Sequence, residues 1–253
     1  MPAPENIFKR RLLAKETQIG LWVGLGDPSV AELAAGTGFD WLVLDGEHGP
    51  NGLRDILAQL RAVGAGRAHP VVRTRDDSRT EIKQMLDIGA QTLLIPMIES
   101  ADQAREAVRS VLYPPEGVRG VGAALVRASG YGGEADYLHT ANDQICLLLQ
   151  VESRAGMAAL DDILAVKGVD GVFIGPADLA ADMGHRGNPG HDDVRKAVSD
   201  GLARIRAAGV AAGVLTGDRA QAKSFAEAGV EFLAVGSDVG TLRSGLVALR
   251  DAF

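Results

Sequence analysis

Eight short apolar runs, each followed by a stretch with apolar residues three and four apart, constrain this chain more than any other feature. The strand candidates are "IGLWVGL" (19–25), "WLVLD" (41–45), "PVVR" (70–73), "TLLIPMI" (92–98), "ICLLLQVE" (145–152), "GVFIG" (171–175), "AAGVLT" (211–216) and "FLAVG" (232–236). Between them lie segments such as "GLRDILAQLRAVG" and "SRTEIKQMLDIG". Several of these finish in Gly, as helix C-termini commonly do. The strand runs are continuous, not alternating, which indicates burial on both faces, as in a parallel sheet covered by helices. Eight such units favour an α/β chain closed into a (β/α)8 barrel over an open doubly wound sheet. No linker interrupts residues 1–253, so one barrel domain is predicted. The rhythm breaks once, in the Gly-rich residues 113–144, read as a functional loop, an oligomer contact or a surface excursion.

Composition excludes several function classes. A net charge of −7 with no cluster of Lys and Arg argues against a nucleic-acid surface. The single cysteine, Cys146, excludes an internal disulfide framework and, within "ICLLLQV", reads as a small buried hydrophobe. No apolar stretch is long enough to cross a bilayer, and the N-terminus lacks a signal-peptide core, so a cytoplasmic protein is expected.

In a parallel barrel the reactive groups gather where strands end. Strand two ends in Asp45, Glu47 and His48, strand three in Arg73, strand five in Gln150 and Glu152, and strand six in "GPAD" with Asp178. Gln150 and Glu152 are two apart and share a face. A carboxylate at the mouth needs a cation. Glu152 and Asp178, without a nearby Cys and with no His in either segment, suit an oxygen-preferring ion such as Mg²⁺ or Mn²⁺. An arginine bonded across the mouth is the equal alternative. After Pro176, the backbone N–H groups of Ala177 and Asp178 can hold an anion, with Gly175 and Ala177 keeping the spot open. Arg73 can stabilise charge growing on an oxygen, pair with Asp45 or Glu47, or do both. His48 is the natural proton carrier, with Asp45 placed to orient it.

The motifs "LDGEHGPN", "IPMIESADQAREAVRSVLYPPEGVRGVG", "QVESRAG" and "GVFIGPADLAADMG" closely resemble the HpcH/HpaI aldolase family of class II pyruvate aldolases, over nearly the whole chain. The resemblance implies a divalent metal, Mg²⁺ or Mn²⁺ before Co²⁺ or Zn²⁺, on Glu152 and Asp178. It implies a 2-oxo acid, pyruvate or hydroxypyruvate, whose carboxylate meets the backbone at Ala177–Asp178. Arg73 then serves the enolate oxygen, His48 moves protons beside Asp45, and Gln150 lines the site. Asp87 matches an aspartate that joins the same network across a subunit boundary, and Leu215 is a candidate for aldehyde choice. The resemblance also implies a hexamer, a trimer of dimers, with the C-terminal helix packed on a neighbouring subunit.

Three rivals are weighed against it. A class I aldolase needs a lysine at a strand's C-terminal end. All six lysines (Lys9, Lys15, Lys83, Lys167, Lys196 and Lys223) fall in predicted helices, in the N-terminal segment or before a strand. A lyase for CoA esters needs a nucleotide-binding surface, which no segment supplies. The third is a barrel that binds an oxoacid without turnover.

Overall fold

Alternate residues of each strand face two different cores, and this explains the continuous apolar runs. In the computed structural model, which describes residues 1–253, eight parallel strands pair in sequence order and close into a barrel. They are β1 (Gln18–Val23), β2 (Trp41–Asp45), β3 (His69–Arg73), β4 (Thr92–Ile95), β5 (Cys146–Val151), β6 (Gly171–Ile174), β7 (Ala211–Leu215) and β8 (Phe232–Ser237). The helices are α1 (Ile7–Leu13), α2 (Pro28–Ala35), α3 (Leu53–Val63), α4 (Arg79–Asp87), α5 (Ala101–Val111), α6 (Tyr137–Gln144), α7 (Arg154–Ala158), α8 (Leu160–Leu164), α9 (Pro176–Asp182), α10 (Asp192–Ala207), α11 (Arg219–Glu227) and α12 (Asp238–Asp251).

Leu42, Leu44, Val72, Leu147, Leu149 and Val172 belong to the core shared with the helices. Trp41, Val43, Val71, Cys146, Leu148 and Phe173 fill the barrel interior. Small residues let the large ones in: a methyl added at Gly20 would lie 2.7 Å from Trp41 Cζ2, inside the van der Waals limit. Phe8 and Leu12 of α1 join the inner core and close the end of the barrel where the strands begin. There His69 stacks on Phe8 and reaches Thr92 Oγ1 at 2.8 Å. Burial lowers its pKa to about 4, so the ring is neutral near pH 7. The Cys146 thiol is fully buried and burial pushes its pKa well up, leaving it inert.

Most strands differ in their bounds from the sequence reading by one or two residues, and two departures are larger. The fourth strand, read through residue 98, ends at Ile95. Pro96 has no N–H for the ladder, and Met97 adopts a left-handed φ of 56°. Residues 113–144, read as irregular, contain a short 3₁₀ turn (Arg127–Ser129) and α6. No helix is long and apolar enough to cross a membrane.

Candidate active site

Extending the inward alternation by one step places polar groups above the apolar layers: Asp45 follows Trp41 and Val43, Arg73 follows Val71, and Gln150 follows Cys146 and Leu148. Asp45 and Arg73 sit opposite each other in the β2–β3 register. The guanidinium therefore meets the carboxylate side by side, Nε to Oδ1 at 2.9 Å and Nη2 to Oδ2 at 2.7 Å. Nη1 pairs with Glu47 Oε2 at 2.5 Å. Trp22 supports both partners, donating from its indole N–H to Asp45 at 3.0 Å and lying 4.9 Å beneath the guanidinium. Burial disfavours the charged form of Asp45, but the bonds and charge of Arg73 outweigh it, aided by Trp22 and the His48 N–H. Its pKa is held below the ordinary carboxylate range. Glu47 moves the other way: desolvation raises its pKa despite Arg73 and the nearby His48.

Glu152 lies one residue beyond β5, only 3% exposed. Its Oε1 accepts the Met97 backbone N–H at 3.0 Å, and its Oε2 accepts from Gln150 Nε2. The pair thus shares one face, as spacing predicted. No lysine or arginine reaches Glu152; Arg73 is committed to Asp45 and Glu47. Burial pushes the Glu152 pKa up, and the charges of Glu47 and Asp178 push it further. Gln150 Oε1 is buried without a hydrogen-bond partner. Across from them, α9 begins at Pro176, with Gly175 as its N-cap, no side-chain cap, and Asp178 in the first turn. A side chain at 175 would collide with Glu152, approaching its Cβ to 2.8 Å. That glycine lets α9 close on the glutamate. Ala177 and Asp178 are exposed at the mouth.

The structure thus gathers Asp45, Arg73, Gln150, Glu152, Gly175 and Asp178. His48 is also at the mouth and exposed, but Asp45 meets its backbone N–H, at 3.3 Å, and not its ring. The imidazole instead lies near Glu47, whose charge it favours. Leu215, partly buried at the end of β7, lines a cavity of about 380 Å³ together with Pro176, Ala177 and Thr216. Asp87 is not part of this mouth. It ends α4, at the barrel end where β4 begins, and pairs with buried Arg119 at 3.4 Å. The lysines lie on α1, α4, α10 and α11 or in turns before β1 and β6, so none stands at a strand's C-terminal end. Sequence reading missed Trp22 and Met97. Trp22 had a signal, since an indole one step inside a strand end is within reach of the mouth. Met97 had none, because its contribution is a backbone N–H.

The HpcH/HpaI aldolase/citrate lyase family model matches residues 18–245. The chain is 56% identical over 253 residues to a hydroxypyruvate/pyruvate aldolase from Pseudomonas aeruginosa, covering all of this chain and 94% of that one. It is 52% identical over 249 residues to a 4-hydroxy-2-oxo-heptane-1,7-dioate aldolase from Salmonella dublin, covering 98% and 95%. A crystal structure of an HpcH/HpaI aldolase/citrate lyase family protein from Burkholderia cenocepacia J2315 superposes with a TM-score of 0.93 at 44% identity, covering 98% and 99%.

Proposed function

Since this chain belongs to the HpcH/HpaI aldolase/citrate lyase family, we propose that it is a divalent-metal-dependent aldolase. It joins pyruvate or hydroxypyruvate to an aldehyde and cleaves the resulting 4-hydroxy-2-oxo acid. The relatives named for the same substrates support this reading. The observation that carries the metal is Glu152, a buried carboxylate with hydrogen-bond donors but no cationic side chain beside it. Burying such a charge is costly unless a cation compensates it. The carboxylates and unpartnered Gln150 Oε1 are oxygen donors, which suits Mg²⁺ or Mn²⁺ before Co²⁺ or Zn²⁺.

Glu152 and Asp178 would hold the ion, which when bound supplies Lewis acidity toward a keto oxygen. The remaining work falls to the chain. Backbone N–H groups of Ala177 and Asp178 bind the substrate carboxylate at the start of α9. Arg73 gives two of its five N–H bonds to Asp45 and faces Glu47 as an ion pair, so N–H groups remain for the oxygen that gains charge as C3 loses its proton. Because the guanidinium is pinned, it does not reorganise when that charge appears. His48 carries the proton; Asp45 acts on it through the backbone while fixing Arg73. Leu215 borders the space for the aldehyde.

The test is exchange of the pyruvate methyl protons with D₂O, followed by NMR with no aldehyde present. Exchange that requires Mg²⁺ or Mn²⁺ and stops with chelator is expected. Exchange indifferent to chelator defeats the metal reading, and pyruvate binding without exchange defeats the enzyme reading.

The catalytic unit in this reading is the whole chain, 1–253, working as a homohexamer in the cytoplasm. Helix α12 exposes Val239, Leu242, Leu246, Val247 and Leu249, an apolar surface suited to a neighbouring copy. Asp87, turned away from its own mouth, can serve only the mouth of another copy. Mass photometry of the full chain should give six-chain particles, and deletion of residues 238–253 should give smaller ones. A fully active monomer would remove the oligomer from the proposal.

A further inference from the structure

Beyond α9 the loop 183–191 and the first turn of α10 bring three donor atoms together outside the site described above. His185 Nε2 lies 3.5 Å, and His191 Nδ1 3.6 Å, from the same oxygen, Asp193 Oδ2. The two rings stack with centroids 3.5 Å apart at 14°. These separations are long for hydrogen bonds, whose usual limit is about 3.2 Å. They match the spacing of two ligands on one tetrahedral ion: bonds of about 2.1 Å put neighbouring donors roughly 3.4 Å apart.

We propose that His185, His191 and Asp193 form a second metal site, distinct from Glu152 and Asp178, with water completing the coordination. Two imidazoles and one carboxylate select a borderline transition ion of the Zn²⁺ or Co²⁺ class over Mg²⁺. Two features keep the affinity below that of a buried structural zinc site. His191 is the N-cap of α10, its Nδ1 accepting the Asp193 N–H at 3.2 Å, and an ion would take over that lone pair. The stacked rings must also splay, because a metal sits in the plane of each imidazole it binds. The consequence is local. Pro189 and Gly190 from this loop, and Arg195 from α10, line the cavity that also touches Ala177 and Leu215. An ion shared by the loop and the helix would pin one wall of that cavity.

Isothermal titration with Zn²⁺ tests the site in the full-length E152Q/D178N protein, from which the first pair of carboxylates is removed. One equivalent per chain is expected there, and none after adding H185Q and H191N; asparagine preserves the N-cap. With Co²⁺ the same protein should develop visible d–d absorption that the quadruple variant lacks. Retention of the equivalent in the quadruple variant, or no binding by E152Q/D178N up to millimolar Zn²⁺, overturns the second site. The wild-type chain reports separately on the first site, taking two equivalents if both exist and one if only the histidine site does.

Discussion

Replacing Glu152 by Gln is expected to lower kcat/KM for aldol cleavage by at least about 10³-fold, while circular dichroism stays unchanged. The substitution keeps the volume and removes one of the two carboxylates proposed to hold the ion. Losing electrostatic stabilisation at a developing oxyanion commonly costs on the order of 10²–10³ in rate, and losing the ion removes more than one donor does. The stability readout runs the opposite way to activity. In chelator, the wild-type chain buries a carboxylate with no cation beside it, so E152Q should unfold at an equal or higher temperature. With Mg²⁺ or Mn²⁺ added, the wild type should gain stability by mass action and the variant should not. Turnover in E152Q with excess chelator at the wild-type rate would end the metal mechanism. Asp178→Asn should behave alike in activity but with little change in metal-free stability, because Asp178 is exposed at the mouth and sheds no burial cost.

Replacing Arg73 by Met is expected to damage both activity and fold. It leaves Asp45, 3% exposed, without its counter-charge and leaves half-buried Glu47 with only the neighbouring His48. Removing one partner of a buried ion pair costs about 3–5 kcal/mol, which urea unfolding would measure. In the proposed mechanism the same change removes the fixed cation beside the reacting oxygen and should lower kcat by about 10²–10³-fold, with a smaller change in KM. Arg73→Lys separates the two effects. A lysine restores charge but not the two parallel bonds to Asp45, so it should recover most of the stability and little of the rate. The Asp45 carboxyl supplies a further sign. Its folded-state pKa lies below the ordinary value because of Arg73, so its contribution to stability is present above that ordinary value and fades as pH falls through the folded pKa. In Arg73→Met that acid-side loss should shrink. A variant with wild-type kcat would exclude Arg73 from the chemistry.

Much of this was legible in the order of residues. The inward set Trp41, Val43, Asp45 and the inward set Cys146, Leu148, Gln150 each follow from a period of two, which backbone geometry imposes wherever a strand forms. The eight-fold rhythm and the Gly and Pro stops were local too, and all eight strands appear near their expected positions. The resemblance to known aldolases rested on the same contiguous motifs. His48 shows the limit. Its closeness to Asp45 in sequence suggested that the carboxylate orients the ring, yet Asp45 turns to Arg73, Trp22 and the backbone of residues 47 and 48.

The sequence alone determined what short-range forces decide: which segments become strands and helices, which faces are apolar, and which polar side chains stand at strand ends. Tertiary structure decided the partners. It set Arg73 on Asp45 and Glu47, leaving Glu152 without a cation; it brought the Met97 N–H and the start of α9 against that glutamate, and turned Asp87 to the far end of the barrel. The reason is that charge pairing and desolvation act through space, and residues brought together by barrel closure are separated in sequence by tens of positions. Only the closed barrel makes them neighbours.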